Sequence, residues 1–199
     1  DIVTSGPTSF LLKGPFGFGK TLAAASFALG GPTYLAYWDK KKPAELITYF
    51  RKFGDKGKRI LQNLEFDIYG GHNANEYLKK VISMSEDCRY FAFITDSVTM
   101  MTSGVVSWSS GFNDKGKKEK LKVNNPQEII PSWDEYKSET AIISQALDLS
   151  RTLPCHVIWT AQPLSSTKIE GSGSSMKVSK VLSIVTYGSK VAGLVPGQF

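Results

Sequence analysis

The sequence is poor in the residues that build metal clusters and disulfide frameworks. It has two cysteines, Cys88 and Cys155, and two histidines, and their spacing matches no metal site. Each cysteine precedes an apolar, β-rich run, which is typical of a small buried thiol. We therefore expect a reduced, cytoplasmic setting.

Long apolar runs and arginines are also scarce. No run approaches the ~18 apolar residues of a membrane span, and the first residues, DIVTSG, do not resemble a signal peptide, so no membrane association is predicted.

The net charge of +6 comes from 20 lysines and four arginines against 18 acidic residues. This balance permits a nucleic-acid partner without requiring one. The missing initiator Met and the abrupt end, GLVPGQF, indicate a fragment.

The rest of the composition suits a folded protein: 199 residues, 41% hydrophobic, predict a single domain over 1–199. Apolar β-rich runs alternate with helical patterns, which predicts an α/β fold with a mainly parallel sheet and helices on both faces. Late alternation over 178–186 predicts antiparallel strands that extend this sheet. The predicted strands are 9–13, 33–38, 66–69, 90–95 and 156–161, and the predicted helices are 20–29, 43–53, 75–84 and 133–153.

Two long polar segments, 103–131 and 165–179, interrupt this alternation. Each follows the carboxyl end of a buried strand, the edge at which open parallel sheets bind ligands. Loops longer than ~15 residues are usually functional or disordered. The first segment contains five lysines, namely Lys115, Lys117, Lys118, Lys120 and Lys122.

Residues 14–21, GPFGFGKT, match the phosphate-binding pattern G-x-x-x-x-G-K-[ST] between a predicted strand and a predicted helix. The glycines allow backbone N–H groups to surround phosphate oxygens, Lys20 supplies a charge to the β- and γ-phosphates, and the Thr21 hydroxyl holds Mg²⁺. An ordinary Gly-rich turn is the alternative. The expected nucleotide-binding residues are Gly14, Pro15, Phe16, Gly17, Phe18, Gly19, Lys20, Thr21 and Leu22.

Polar side chains end two other buried strands. Asp96 follows YFAFIT, where an aspartate holds Mg²⁺ directly or through water; the alternative is a turn cap. Ser97 follows it, so the adjacent glutamate base of many motor ATPases is absent. Gln162 ends HVIWTAQ and is placed to sense a γ-phosphate, unless it only caps the turn before Pro163.

Together, GPFGFGKT, FITDS, WDEY before a long helix, HVIWTAQ and the late YGSKVAGLVPGQF resemble the RecA-like branch of P-loop ATPases. The resemblance is closest to phage-encoded AAA-type nucleotide-binding proteins of the recombination and single-strand-annealing group. It implies an ATP- and Mg²⁺-dependent ATPase that assembles as a ring or filament on single-stranded DNA. It also implies DNA-contacting loops at the two polar segments, where Lys115–Lys122 would contact phosphates. A merely solvated loop is the alternative.

The resemblance further implies an acidic residue just past the second strand that polarises the attacking water. In TYLAYWDKKKP only Asp39 is available, and a pairing with a neighbouring lysine is the alternative. Lys20, Asp96, Gln162 and Asp39 are thus the expected catalytic residues.

The leading hypothesis is a DNA-coupled ATPase of recombination, annealing or repair. A nucleotide-gated assembly module with little hydrolysis, and a packaging or helicase motor, stay open. Four arginines disfavour a small-molecule kinase with an arginine-bearing lid. Residues 167–170, TKIE, carry Glu where the guanine-reading motif has Asp, which favours ATP over GTP.

Overall fold

A computed structural model describes residues 6–39, 43–109, 133–170 and 177–184. None of the helices in these ranges is both long and apolar enough to span a membrane. The strands are β1 Ser9–Lys13, β2 Thr33–Tyr37, β3 Leu64–Ile68, β4 Ala92–Asp96, β5 His156–Ala161, β6 Pro163–Glu170 and β7 Lys177–Ile184. The α-helices are α1 Lys20–Ala25, α2 Ala44–Arg51, α3 Gly54–Asn63, α4 Ala74–Glu86, α5 Val98–Ser109 and α6 Trp133–Arg151, with 3₁₀ turns at Ser26–Leu29 and Gly71–Asn73.

The first five strands form one sheet in the order β1-β5-β4-β2-β3, and every pair in it is parallel. Every residue of β2 and β4 is buried, as expected for strands covered on both faces. This confirms the predicted α/β class with a mainly parallel sheet. In this order β5 lies between β1 and β4, so the carboxyl end of β4 lies between the ends of β5 and β2.

Helices pack on both faces of this sheet, as predicted. Alternate residues of β2 separate into two cores: Tyr34 and Ala36 join one, and Leu35 and Tyr37 join the other. The first core includes residues of α4, α5 and α6, and the second includes residues of α1, α2 and α3.

The polar segment predicted over 103–131 begins later than expected, because α5 continues to Ser109. Met101 and Val105 are buried on its inner face. Gly104 lies within this helix, where α5 meets the backbone of Gly71: a Cβ on Gly104 would lie 3.2 Å from the Gly71 nitrogen, and a Cβ on Gly71 would overlap the Gly104 carbonyl oxygen. The glycine allows two backbones to touch and does not end the helix. Residues 110–132 lie outside the described ranges.

The late strands do not extend the main sheet. β6 and β7 pair with each other in a separate two-stranded antiparallel sheet, from Pro163 opposite Ile184 to Glu170 opposite Lys177. Much of the segment predicted as a loop over 165–179 is therefore strand. β-Branched residues such as Thr167 and Val178 favour that pairing, whereas the Gly/Ser cluster GSGSSM occupies 171–176, between the strands and outside the description.

Candidate functional site

The Gly-rich loop connects β1 to α1, which is the context that the phosphate-binding pattern requires. Gly17 and Gly19 have φ of 80° and 75°, in the left-handed region that glycine adopts without strain. The Gly14 N–H donates to the Ala161 carbonyl at 3.3 Å and so fixes the start of the loop to the end of β5. Phe16 and Phe18 are exposed.

Lys20 folds back across its own loop. Its Nζ donates to the carbonyl oxygens of Gly14 at 2.7 Å and Pro15 at 2.8 Å. Partial burial lowers the pKa of the Lys20 ammonium, and the negative charge of Asp96 opposes that shift. The ammonium therefore lies among the loop carbonyls, beside a carboxylate.

Asp96 is the last residue of β4 and is only 5% exposed. The Thr21 hydroxyl donates to its Oδ2 at 2.6 Å, and the Thr160 hydroxyl donates to its Oδ1. Burial raises the pKa of the Asp96 carboxyl; the hydrogen bonds from Thr160 and Thr21 and the charge of Lys20 work in the opposite direction. A buried carboxylate is thus held by two hydroxyl donors.

The ends of the neighbouring strands meet at the same edge. The Gln162 backbone N–H donates to Thr99 Oγ1 at 3.1 Å, and this bond ties the end of β5 to the start of α5. Past the end of β2, the Trp38 N–H donates to the Asp96 carbonyl at 2.7 Å, and Asp39 follows. Parallel pairing therefore gathers residues that are far apart in the sequence.

These strand ends surround a cavity of about 440 Å³. The four residues predicted to be catalytic, Lys20, Asp96, Gln162 and Asp39, all line it, as does Thr21. Of the predicted nucleotide-binding residues, Gly14, Pro15 and Phe18 belong to the loop but not to the cavity wall. The remaining wall residues are Phe16, Gly17, Gly19, Leu22, Tyr37, Glu45, Leu46, Tyr49, Ser97 and Met100.

Several residues of the cavity wall were not predicted from the sequence. One of them is Tyr37, where burial, followed by the charges of Asp39, Asp96 and Glu45, raises the pKa of the hydroxyl to about 12. Tyr49 on α2 presents a ring that is 42% exposed. Tyr49 lies four residues after Glu45, another wall residue, and hence on the same helix face, but the sequence marks neither of them.

The donors at the end of β4 suit Mg²⁺, a hard cation that prefers oxygen ligands. The Thr21 hydroxyl and the Asp96 carboxylate are adjacent, and the charge of Asp39 also acts on Asp96. In the described ranges no group of three His, Cys, Asp or Glu side chains forms a metal site by itself. A cation bound here would therefore need further oxygen ligands besides Thr21 and Asp96, such as those of a phosphate group.

The predicted nucleic-acid residues Lys115, Lys117, Lys118, Lys120 and Lys122 all lie outside the described residues. Trp108, near the end of α5, is 44% exposed, and its ring lies 6.0 Å from that of His72. His156 accepts a hydrogen bond from the Thr8 N–H at 3.2 Å and contacts Phe91. These contacts fit a structural role for His156.

No protein-family model and no curated protein matches this sequence. Among solved structures, the chain is similar to a KaiC-like protein, PH0186, of the hyperthermophilic archaeon Pyrococcus horikoshii OT3. The two are 12% identical with a TM-score of 0.49, and the match covers 89% of this chain and 78% of that one.

Proposed function

We propose that this chain binds ATP together with Mg²⁺ in the cavity and hydrolyses it in a reaction coupled to single-stranded DNA. The observation that supports the proposal is the convergence of Lys20, the Thr21–Asp96 pair and Gln162 on one cavity beside the Gly-rich loop. The cavity volume of about 440 Å³ lies within the ~300–1,000 Å³ of small-molecule sites.

Each residue has a role in phosphoryl transfer. Lys20 would leave the Gly14 and Pro15 carbonyls and neutralise the β- and γ-phosphate oxygens. Thr21 and Asp96 would hold Mg²⁺, which offsets charge on the phosphates when it is bound. Asp39 and Gln162 would orient the attacking water and respond to the γ-phosphate. Catalysis of this kind comes mainly from positioning and electrostatics.

The aromatic part of the wall suits a nucleobase. Tyr49 presents a half-exposed ring to the cavity, and Leu46 on the same helix adds an apolar surface. Aromatic rings stack on any of the nucleobases, because every base has a flat π face. We therefore place the nucleobase against α2, and the phosphates in the loop.

The coupling to DNA is supported by chain connectivity. Helix α5 begins two residues after Asp96 and leads towards Lys115–Lys122, and the β6–β7 hairpin begins directly after Gln162. The segment after α5 and the β6–β7 hairpin therefore both follow closely, along the chain, residues that would respond to the phosphates. The net charge of +6 and the resemblance to RecA-like phage recombination proteins favour DNA, and assembly as a ring or filament, over other partners.

A nucleotide-gated assembly module is the second candidate. It is favoured by Ser97, which stands beside Asp96 in the cavity wall where many motor ATPases carry a glutamate base. Such a module would bind ATP, change its assembly and release almost no phosphate.

The test is phosphate release from ATP with and without single-stranded DNA, for the wild type, Lys20→Ala and the control Lys58→Ala. Lys58 is an exposed lysine on α3 and is not part of the cavity wall. We expect turnover to rise several-fold with DNA in the wild type and the control and to vanish in Lys20→Ala. Binding without turnover would favour the assembly module, and a wild type that binds no nucleotide would overturn the proposal.

A further inference from the structure

Thr160 contacts the proposed metal ligand from outside the cavity. It is fully buried in β5, the strand that lies between β1 and β4. Its hydroxyl donates to Asp96 Oδ1, while Thr21 donates to Oδ2. Each carboxylate oxygen therefore accepts one hydroxyl, and the two donors come from different parts of the chain.

The two hydroxyls differ in what a ligand can reach. Thr21 lies in the cavity wall beside Lys20, whereas Thr160 does not line the cavity. A bound nucleotide and cation would change the surroundings of Thr21 and Oδ2 but would leave the bond between Thr160 and Oδ1 in place.

We propose that Thr160 is a positioning residue that sets the orientation of the Asp96 carboxylate, so that Oδ2 faces Thr21 and the metal. This inference rests on the proposed function of the site. The terminal torsion of an aspartate is broad, so one hydroxyl alone leaves the carboxylate plane free to turn. Partners that orient metal ligands typically contribute 10–100-fold to metal affinity or activity.

The test compares nucleotide affinity with and without the metal. A fluorescent N-methylanthraniloyl ATP is titrated into each variant in Mg²⁺ and in EDTA, and Mn²⁺ binding in the presence of ADP is followed by the electron paramagnetic resonance of the free ion. Thr160→Val removes the donor at constant shape, and Thr160→Ser restores it. Thr33→Val is the matched control, since Thr33 is also fully buried but donates to the Gly31 carbonyl.

We expect Thr160→Val to lose roughly 10-fold or more of the Mg²⁺-dependent affinity, and of Mn²⁺ affinity, with the affinity in EDTA unchanged. Thr160→Ser and Thr33→Val should behave as the wild type. Equal losses in Mg²⁺ and in EDTA would indicate a purely structural role, and they would overturn the inference, as would a wild-type Mg²⁺ response in Thr160→Val.

Should Thr160→Val not fold, Thr160→Cys is measured instead. A thiol is a weaker donor than a hydroxyl, so an intermediate loss of Mg²⁺-dependent affinity is expected. A Cys variant equal to the wild type would again overturn the inference. If the wild type itself binds no nucleotide in either buffer, the proposed function fails, and the inference fails with it.

Discussion

Asp96 is a buried carboxyl group, and its burial affects the free energy of unfolding. Burial places the folded-state pKa of the carboxyl above its ordinary value of 3.8. The contribution of the group to stability is therefore complete below pH 3.8 and is lost as the pH rises through the folded-state pKa. At neutral pH the group therefore lowers the free energy of unfolding of the nucleotide-free protein.

Asp96→Asn should accordingly raise the free energy of unfolding at pH 7 while abolishing the Mg²⁺-dependent part of nucleotide binding. Its advantage should shrink as the pH falls towards 4, because the wild-type carboxyl then becomes protonated. Urea unfolding at the two pH values, in EDTA and without nucleotide, measures both effects. An Asn variant less stable than the wild type at pH 7 would show that the hydrogen bonds from Thr160 and Thr21 outweigh the cost of burying the charge.

Tyr49 provides a separate test of where the nucleobase lies. Replacing it with Ala removes the stacking surface, and we expect ATP affinity to fall roughly 10-fold, within the ~1–3 kcal/mol typical of one stacked base. Binding of inorganic tripolyphosphate, which has no base, should not change. Tyr49→Phe keeps the ring and should keep the affinity. Equal losses for both ligands would place the base elsewhere.

Among the elements, the packing of α2 on α3 depends on Gly57. A Cβ at that position would lie 1.8 Å from the Phe50 carbonyl oxygen of α2. In an isolated helix Gly→Ala stabilises by about 1 kcal/mol, but a backbone clash of this size forces the two helices apart. We expect Gly57→Ala to reduce the free energy of unfolding by about 1–3 kcal/mol. Because α2 carries Tyr49, ATP affinity should fall as well.

Denaturant unfolding and ATP titration measure these two effects. Gly6→Ala is the control, because a Cβ on Gly6 meets nothing within 4 Å. A Gly57→Ala protein as stable as the wild type would mean that helix propensity exceeds the packing cost, and that α2 and α3 separate easily.

The elements also show what the sequence can and cannot predict. The buried strands β2, β4 and β5 were predictable because continuous apolar runs mark them, and Asp39, Asp96 and Gln162 because they follow those runs. Helix α3 was not predicted, because its ten residues contain two glycines, Gly54 and Gly57, which disfavour a helix. Thr160 was missed because, inside a strand, threonine resembles any other β-former.

For the whole molecule, the strand order brings the proposed phosphate-binding and metal-binding residues to one edge of the sheet. Because β5 lies between β1 and β4, its end contacts the Gly-rich loop through Ala161 and the proposed metal ligand, Asp96, through Thr160. The residue after it, Gln162, is bonded to Thr99 of α5. The two segments that the proposal assigns to DNA thus follow a single hydrogen-bonded junction, through which we expect a change at the phosphates to act on both.

The five lysines at 115–122 provide a test of the proposed link between nucleotide and DNA. Replacing five lysines with Gln, at positions 115, 117, 118, 120 and 122, should abolish the DNA stimulation of ATP hydrolysis and leave the basal rate unchanged. Each lost phosphate contact should also reduce the slope of log affinity against log salt by ~0.7 for single-stranded DNA. Fluorescence anisotropy of a labelled oligonucleotide at several salt concentrations gives this slope.

Five other exposed lysines provide a control that lowers the net charge by the same amount: Lys52, Lys56, Lys58, Lys79 and Lys137. If both five-lysine variants lose DNA affinity equally, attraction is a property of the whole positive surface and the segment has no special role. If only the 115–122 variant loses the stimulation while the control keeps it, the contact is local. In that case we expect DNA to change hydrolysis through α5, which connects Asp96 to residues 115–122 in the chain.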